Sequence, residues 1–468
     1  VHNWCNGWAV RYDERMNIAI LGFDTEGRSS YDYFKAQSGD NGQAHTLTIL
    51  DQDPNKQIPA GAISVLGGSY LDNLDRFDVI VRTAGLMPNK IFAANPGLSP
   101  GKLTTQVNEF FKASPTKNII GITGTKGKGT TSTLITKMLT AAGKDARLAG
   151  NIGIPALDLM PVLTPDSWVV LELSSFQLID LKSSPMIAVC LMVVPEHLNW
   201  HEDMAEYKTA KQQLFVWQTY DDIAIYNNDN ENSRTIAEAG SGTKVPYCAP
   251  PGAIIDSNPS TDGSDKNLDK VISIGGQIIC HTHELKLLGE HNWQNVCAAV
   301  TAAWQVTHSL SALRSVLTSF SGLPHRLELV RELNGVQYYD DSFGTTPETA
   351  IVAIAALTQP KVIILGGSDK GASYDDLAQA VKAGNVRTAL LIGDQAAKIQ
   401  IALQNAGFTD FVAGDATPLT TMSEVVSAAM AAAQPGDVVL LSPGCASFDM
   451  FKDYIDRASQ FVAAVKTL

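Results

Sequence analysis

The chain has 468 residues, which at roughly 150 residues per domain suggests about three domains. Hydrophobic residues make up 45% and charged ones 18%, a balance that builds packed cores and excludes a disordered chain. Lys and Arg number 35 against 48 Asp and Glu, a net charge of −13; this argues against a surface that wraps nucleic acid or binds anionic lipid, while leaving room for a local basic pocket.

Strand and helix signals alternate along the chain, the pattern of α/β architecture with parallel sheets. "NIAILGF", Asn17 to Phe23, reads as a buried strand ending in glycine, with a helix from about Ser29. "LTIL" leads to Asp51, and "FDVIVRTAG" gives a further strand and loop, so the first part reads as a Rossmann-like half. A second unit starts near Asn118, where the strand "NIIGITG" runs into a glycine-rich loop and a helix that stops at Gly143. "SWVVLELSSFQL" and "IAVCLMVV" are buried strands, and the Pro-, Gly-, Ser- and Asp-rich stretch 249–270 reads as a surface loop. A third unit begins near "GLPHRLELV", with "KVIILGGSDKG", "TALLIGD" and "DVVLLSPG" as strand-to-loop passages. The apolar run Ile187 to Val194 is too short for a membrane helix. "VHNWCNGWAV" has no basic region followed by an apolar core, so no signal peptide is expected. Cys5, Cys190, Cys248, Cys280, Cys297 and Cys445 form no CxxC pair or zinc spacing and read as reduced thiols of a cytosolic protein.

Gly121 to Thr131 reads "GITGTKGKGTT" between a strand and a helix. That context suits a phosphate-binding loop, in which backbone N–H groups and the helix N-terminus face the anion and a lysine reaches the outer phosphates. Lys128 is the candidate lysine, and Lys126 reads as solvated. Two positions depart from the full pattern: Ile122 stands where the first glycine would, and Gly129 follows Lys128 where a hydroxyl residue normally holds magnesium. A glycine-rich turn without a ligand is the alternative. Glu172 ends an apolar strand, where a carboxylate is costly unless paired or metal-bound; it is either a magnesium ligand or a cap of the next turn. "PEHLNWHEDMAEYKTAKQQLF" carries His197, His201, Lys208 and Lys211, which in isolation read as structural histidines and solvated lysines. "GLPHRLE" supplies His325 and Arg326, and "YYDDSFGTTPETA" supplies Asp340, Asp341 and Ser342 after a strand; arginine suits bidentate phosphate contact.

In series with "GNIGIPAL", "GEHNWQN", "LGGSDKG" and "LLSPGCASFDMF", these stretches resemble the Mur ligases over nearly the whole chain. The resemblance implies three domains: 1–114 Rossmann-like and binding a UDP substrate, 115–322 a P-loop ATPase-like domain with a mostly parallel sheet, and 323–468 Rossmann-like and binding the incoming amino acid. It implies ATP-dependent amide formation through an acyl phosphate, with UDP-N-acetylmuramoyl-L-alanine, D-glutamate and ATP as partners, ATP and Mg2+ as cofactors, and a cytoplasmic monomer as the form. Carried over by position, Gly124, Thr125, Lys126, Gly127, Lys128, Gly129, Thr130, Asn292, Asn295, Arg326 and Asp341 meet ATP. Gly22, Gly27, Arg28, Asp51, Asn151, Ser174 and His197 meet the UDP substrate, and Thr345, Lys370, Ser447, Phe448 and Tyr454 meet glutamate. Lys128, Glu172, His197 and Lys211 are the implied catalytic set; Thr130, Glu172, His197 and a carbamylated Lys211 are the implied metal set. Besides Gly129, the chain departs from the family at Phe343 (usually Lys), Glu196 (usually Asp), Tyr454 (usually Phe) and "VRTAG" (usually Ser-Pro-Gly). Addition of L-glutamate or another amino acid, a folylpolyglutamate synthase, and a relative that binds nucleotide without catalysis are the competing readings.

Overall fold

The computed structural model describes residues 15–38, 42–197, 200–257, 270–287, 289–369, 371–413 and 419–468. Lys370 lies outside the described residues. Two compact units are present, one comprising Val1–Leu285 with His291–Ser319, the other Lys286–Glu290 with Phe320–Leu468.

The first unit contains two parallel sheets. One has the order Ile63–Leu66, Thr46–Asp51, Asn17–Leu21, Val79–Arg82, Leu103–Thr105. Its central strand, Asn17–Leu21, is apolar at every position after Asn17 because both faces are covered. Ile18 and Ile20 pack with Phe23, Phe34 and Val81 on one side, while Ala19 and Leu21 pack with Leu50, Ile80 and Ile91 on the other. The other sheet has the order Thr243–Tyr247, Ile223–Asn227, Ile187–Cys190, Ile119–Thr123, Trp168–Glu172, Ala146–Gly150, again parallel throughout. Ile119–Thr123 is flanked by Ile187–Cys190 and Trp168–Glu172, so its loop opens at the middle of the sheet's C-terminal edge, where α/β sheets bind ligands.

Two expectations shift. The stretch read as a loop over 249–270 contains the strand Ile254–Ser257, paired antiparallel with Lys270–Ile274, which in turn pairs with Gln277–His281. The first helix spans Thr25–Lys35, four residues ahead of its expected start.

In the second unit the strand order is Glu328–Leu333, Val336–Asp340, Val438–Leu441, Lys361–Gly366, Val386–Ile392, Phe411–Ala413. The first two form an antiparallel hairpin and the others run parallel. Ile363 and Leu365 face one core, Val362 and Ile364 the other, the double burial of a doubly wound sheet.

Candidate active site

The glycine-rich loop joins the strand Ile119–Thr123 to the helix Lys128–Ala141. Lys128 is therefore the first helical residue, beside the N–H groups that a helix leaves without internal partners. Gly127 precedes it in the left-handed region (φ 88°), and a Cβ there would lie 2.1 Å from Asn295 Oδ1. Only glycine permits that approach, so the loop lies against Asn295, itself bonded to Asn292 Oδ1 at 3.3 Å. The loop and the two asparagines expected at ATP thus meet. Lys128 Nζ donates to Gly124 O (3.1 Å) and Thr125 O (3.0 Å), folded back over its own loop. Thr130 is buried in the first helical turn, Gly129 precedes it half-buried, and the exposed Lys126 pairs with Glu196.

Glu172 sits in register beside Ile122 on the adjacent strand, directly next to the loop. It does not cap the following turn. That helix, Ser175–Leu178, is capped by Ser174, whose hydroxyl accepts from Gln177 N, while Gln177 Oε1 accepts from Ser174 N. Instead Glu172 Oε1 accepts from Asn151 Nδ2 at 2.8 Å.

Lys211 is a buried lysine of the site, 1% exposed. Its Nζ donates to Gly124 O (3.0 Å) and lies 4.4 Å over the Tyr207 ring. Burial, and then the charge of Lys128, lower its pKa to about 7, against partial support from Cys190 and Glu196. The amine is thus substantially neutral near pH 7, the form that reacts with carbon dioxide. His197 is pulled below its ordinary value by burial, opposed by Glu196 and reinforced by Lys128, Lys211 and Lys126. These couplings place His197 and the three lysines in one electrostatic neighbourhood. Its backbone is left-handed (φ 59°), uncommon for a residue with a side chain.

Tyr207 was not singled out from sequence. Its hydroxyl lies 3.0 Å from Thr125 Oγ1, and burial raises its pKa to about 12, so it stays protonated and braces the loop. The i, i+4 spacing to Lys211 on the helix Met204–Val216 was the available signal. His201, buried, lies 2.9 Å from Ser175 Oγ and 3.2 Å from Glu206 Oε2, a structural histidine as its residue type alone suggests.

Oxygen donors such as Thr130 Oγ1 and Glu172 suit magnesium. The Lys211 amine, a donor as it stands, does not, and fits a metal only once its charge is reversed.

In the first sheet Gly22 has φ 91°, and a Cβ there would lie 2.3 Å from Thr83 Oγ1, so the turn and the "VRTAG" loop touch. Gly27 is buried in the first turn of the helix Thr25–Lys35. Arg28 stacks 4.7 Å over Phe23 and donates to Gln57 O at 2.9 Å. Asp51 accepts from Phe23 N and Asp53 N at 2.8 and 2.9 Å, clasping two loops. Residues missed from sequence tie this sheet to the sheet that carries the glycine-rich loop. Glu26 accepts from Ala84 N (2.8 Å) and Gln177 Nε2 (2.7 Å). Buried Arg82 forks onto Asp180 at 2.6 and 2.7 Å. The short helix Ser175–Leu178, capped by Ser174, is therefore tied to the first sheet through Gln177 and through Asp180 just beyond its end.

In the second unit His325, Arg326 and Asp341 meet at the end of the hairpin. His325 Nδ1 lies 2.8 Å from Asp340 Oδ2, and Asp341 Oδ1 accepts from Leu327 N at 3.2 Å. Burial lifts the Asp341 carboxyl to about 7, opposed by its bond from Ser442 Oγ and by Arg326. The buried Ser447 lies in the loop after Val438–Leu441, which is joined to the loop after Lys361–Gly366 by Ser368 N to Ala446 O (2.9 Å) and Phe448 N to Ser368 Oγ (3.2 Å). Phe448 is 71% exposed, Thr345 half-buried, and Tyr454 opens the helix Tyr454–Thr467. Among the described residues, no helix is long and apolar enough to cross a membrane, and Cys190, Cys248, Cys280, Cys297 and Cys445 are free thiols.

Residues 122–303 match the Mur ligase middle domain and residues 325–445 the Mur ligase glutamate ligase domain. The UDP-N-acetylmuramoylalanine–D-glutamate ligase of Symbiobacterium thermophilum is 38% identical over 416 residues, covering 87% of this chain and 88% of that protein. The enzyme of the same name from Clostridium kluyveri is 35% identical, covering 86% of each. Among solved structures, a MurF of Acinetobacter baumannii aligns with TM-score 0.60 at 15% identity, covering 98% of this chain and 92% of that one. The UDP-N-acetylmuramate–alanine ligase of Thermotoga maritima aligns at 0.58 and 15%, covering 97% and 100%, so the fold is shared beyond the range of close sequence similarity. Together with the phosphate-loop geometry, this extent of identity over most of both chains establishes that the chain belongs to the Mur ligase family.

Proposed function

We propose that the protein is an ATP-dependent ligase joining D-glutamate to UDP-N-acetylmuramoyl-L-alanine. The observation that carries the reading is the cluster at the glycine-rich loop: Lys128 at the helix start, buried Glu172 one strand away, and buried Lys211 bonded to the same loop. Its similarity to ligases named for that reaction supports the choice of substrates. On this reading residues 1–114 take the UDP substrate, 115–322 ATP and 323–468 glutamate, in a cytoplasmic monomer.

The alanyl carboxylate oxygen attacks the γ-phosphorus and ADP leaves. The glutamate amine then attacks the acyl carbon, loses a proton, and phosphate departs. Lys128, released from Gly124 O and Thr125 O, follows the transferring phosphoryl charge, and the loop N–H groups hold the β-phosphate. Thr130 and Glu172 would hold Mg2+, which supplies neutralisation of the phosphate oxygens. Lys211, carbamylated, would present an anionic oxygen where an ammonium would repel a cation. Asn292 and Asn295 lie on the adenine side, Arg326 on the phosphates and Asp341 on the ribose. Asn151, Ser174 and His197 align the reacting carboxylate, and Gly22, Gly27, Arg28 and Asp51 serve the uridine diphosphate end. Thr345, Lys370, Ser447, Phe448 and Tyr454 bind glutamate, whose two carboxylates call for charge-assisted donors.

The test is ADP release from ATP and UDP-N-acetylmuramoyl-L-alanine with D- or L-glutamate. We expect release that depends on D-glutamate. Preference for L-glutamate would overturn the stereochemistry, and release independent of any amino acid would overturn the ligase reading.

A further inference from the structure

Phe343 stands where the family resemblance calls for lysine, and the reaction above makes no use of a ring there. It lies on the turn after Val336–Asp340, and its N–H donates to His325 O at 3.0 Å, tying it to the turn that carries Arg326. The Arg326 guanidinium carbon lies 4.3 Å from the Phe343 ring centroid. The Tyr454 ring stands 5.3 Å away at 85°. Arg457, one turn beyond Tyr454 on the same helix and fully buried, holds this arrangement: Nη2 donates to Ser342 O at 2.8 Å and Nη1 to Cys445 O at 3.2 Å. The start of the helix is thereby fastened to the residue just before Phe343. Phe343 itself is 42% exposed, so its ring adds little to the core.

We propose that Phe343 is a positioning residue for two side chains of this unit: it stacks the Arg326 guanidinium in the orientation that meets ATP phosphate and sets the Tyr454 ring that meets glutamate. A lysine there would place a second cation beside Arg326, whereas a ring attracts the guanidinium and fixes its planar fork. The ring-on-ring contact passes that constraint to Tyr454. The inference rests on the ligase reading and adds a physical link between Arg326 and Tyr454.

The experiment compares Phe343→Leu and Phe343→Trp in the full chain, with separate KM values for ATP, D-glutamate and UDP-N-acetylmuramoyl-L-alanine. Loss of one exposed stacked cation is read as about a two- to fivefold rise in KM. Phe343→Leu should raise the KM for ATP by that factor and that for D-glutamate by at least about twofold, leaving the UDP-substrate KM in place. Phe343→Trp, which keeps a face for the guanidinium, should stay within about twofold of the unsubstituted protein for all three. Phe343→Leu and Tyr454→Leu should combine less than additively on the D-glutamate KM, since they break one contact. Unaltered ATP and glutamate KM values in Phe343→Leu would overturn the proposal, as would equal impairment by Leu and Trp or a parallel rise in all three KM values. Absence of ligase activity in the unsubstituted protein would overturn the ligase reading beneath it, and with it this proposal.

Discussion

Replacing Arg82 by methionine tests how the first sheet is joined to the sheet that carries the glycine-rich loop. Arg82 is 1% exposed. Its guanidinium donates twice to Asp180, at 2.6 and 2.7 Å, and also to Phe176 O (2.9 Å), Thr83 O (3.1 Å) and Leu86 O (3.1 Å). Methionine keeps most of the stem's volume and deletes every donor. Removing one partner of a buried pair costs about 3–5 kcal/mol, because the other charge is stranded. Asp180 retains 19% of its side-chain exposure, so water carries part of that load; the lower end, about 3 kcal/mol, is expected. Urea unfolding followed by circular dichroism reads the change from the midpoint and slope. The double variant Arg82→Met/Asp180→Leu removes the stranded carboxylate and should be more stable than Arg82→Met alone. A cost below about 1 kcal/mol, the range of exposed ion pairs, would refute the argument, and so would a double variant less stable than the single.

Lys128→Ala should lower ADP formation by roughly two to three orders of magnitude with circular dichroism unaltered; near-normal turnover would take the loop out of the reaction. Lys211→Ala should be nearly inactive and partly restored by short carboxylic acids, and the unsubstituted protein should show a carbamate carbon signal with labelled bicarbonate. Full activity of Lys211→Ala without added acid would make this an ordinary buried lysine. The Asp341 carboxyl, lifted by burial to about 7, keeps a proton in the folded state that the unfolded chain releases near pH ~4. Its stabilisation is complete below that lower value and is lost as pH rises through about 7. Asp341→Asn should therefore flatten the decline in urea midpoint between roughly pH 4 and 7, and an identical slope in both proteins would contradict it.

What the chain order alone determined is local. The parallel strands announced themselves as continuous apolar runs, such as "KVIILG", because both faces of each are buried. The glycine-rich loop was legible because strand, glycines, lysine and helix are contiguous, although Gly129 stands after Lys128 and Thr130 comes one residue on. The strand Ile254–Ser257 was hidden by the turn-forming residues around it, and its antiparallel partner supplied what composition did not. The roles proposed for His197 and Lys211 rest on resemblance, since an isolated lysine on a helix reads as solvated; the burial of Lys211 is a property of the sheet and loop packed over it. Other contacts lay wholly beyond sequence reasoning. Gln177 meets Glu26 across 151 positions, Arg82 meets Asp180 across 98, and Thr125 meets Tyr207 across 82. Periodicity and capping act over a few residues, so the chain declares its elements. A buried polar group must instead find a partner among whatever segments the packing brings near, and only the tertiary structure makes that choice.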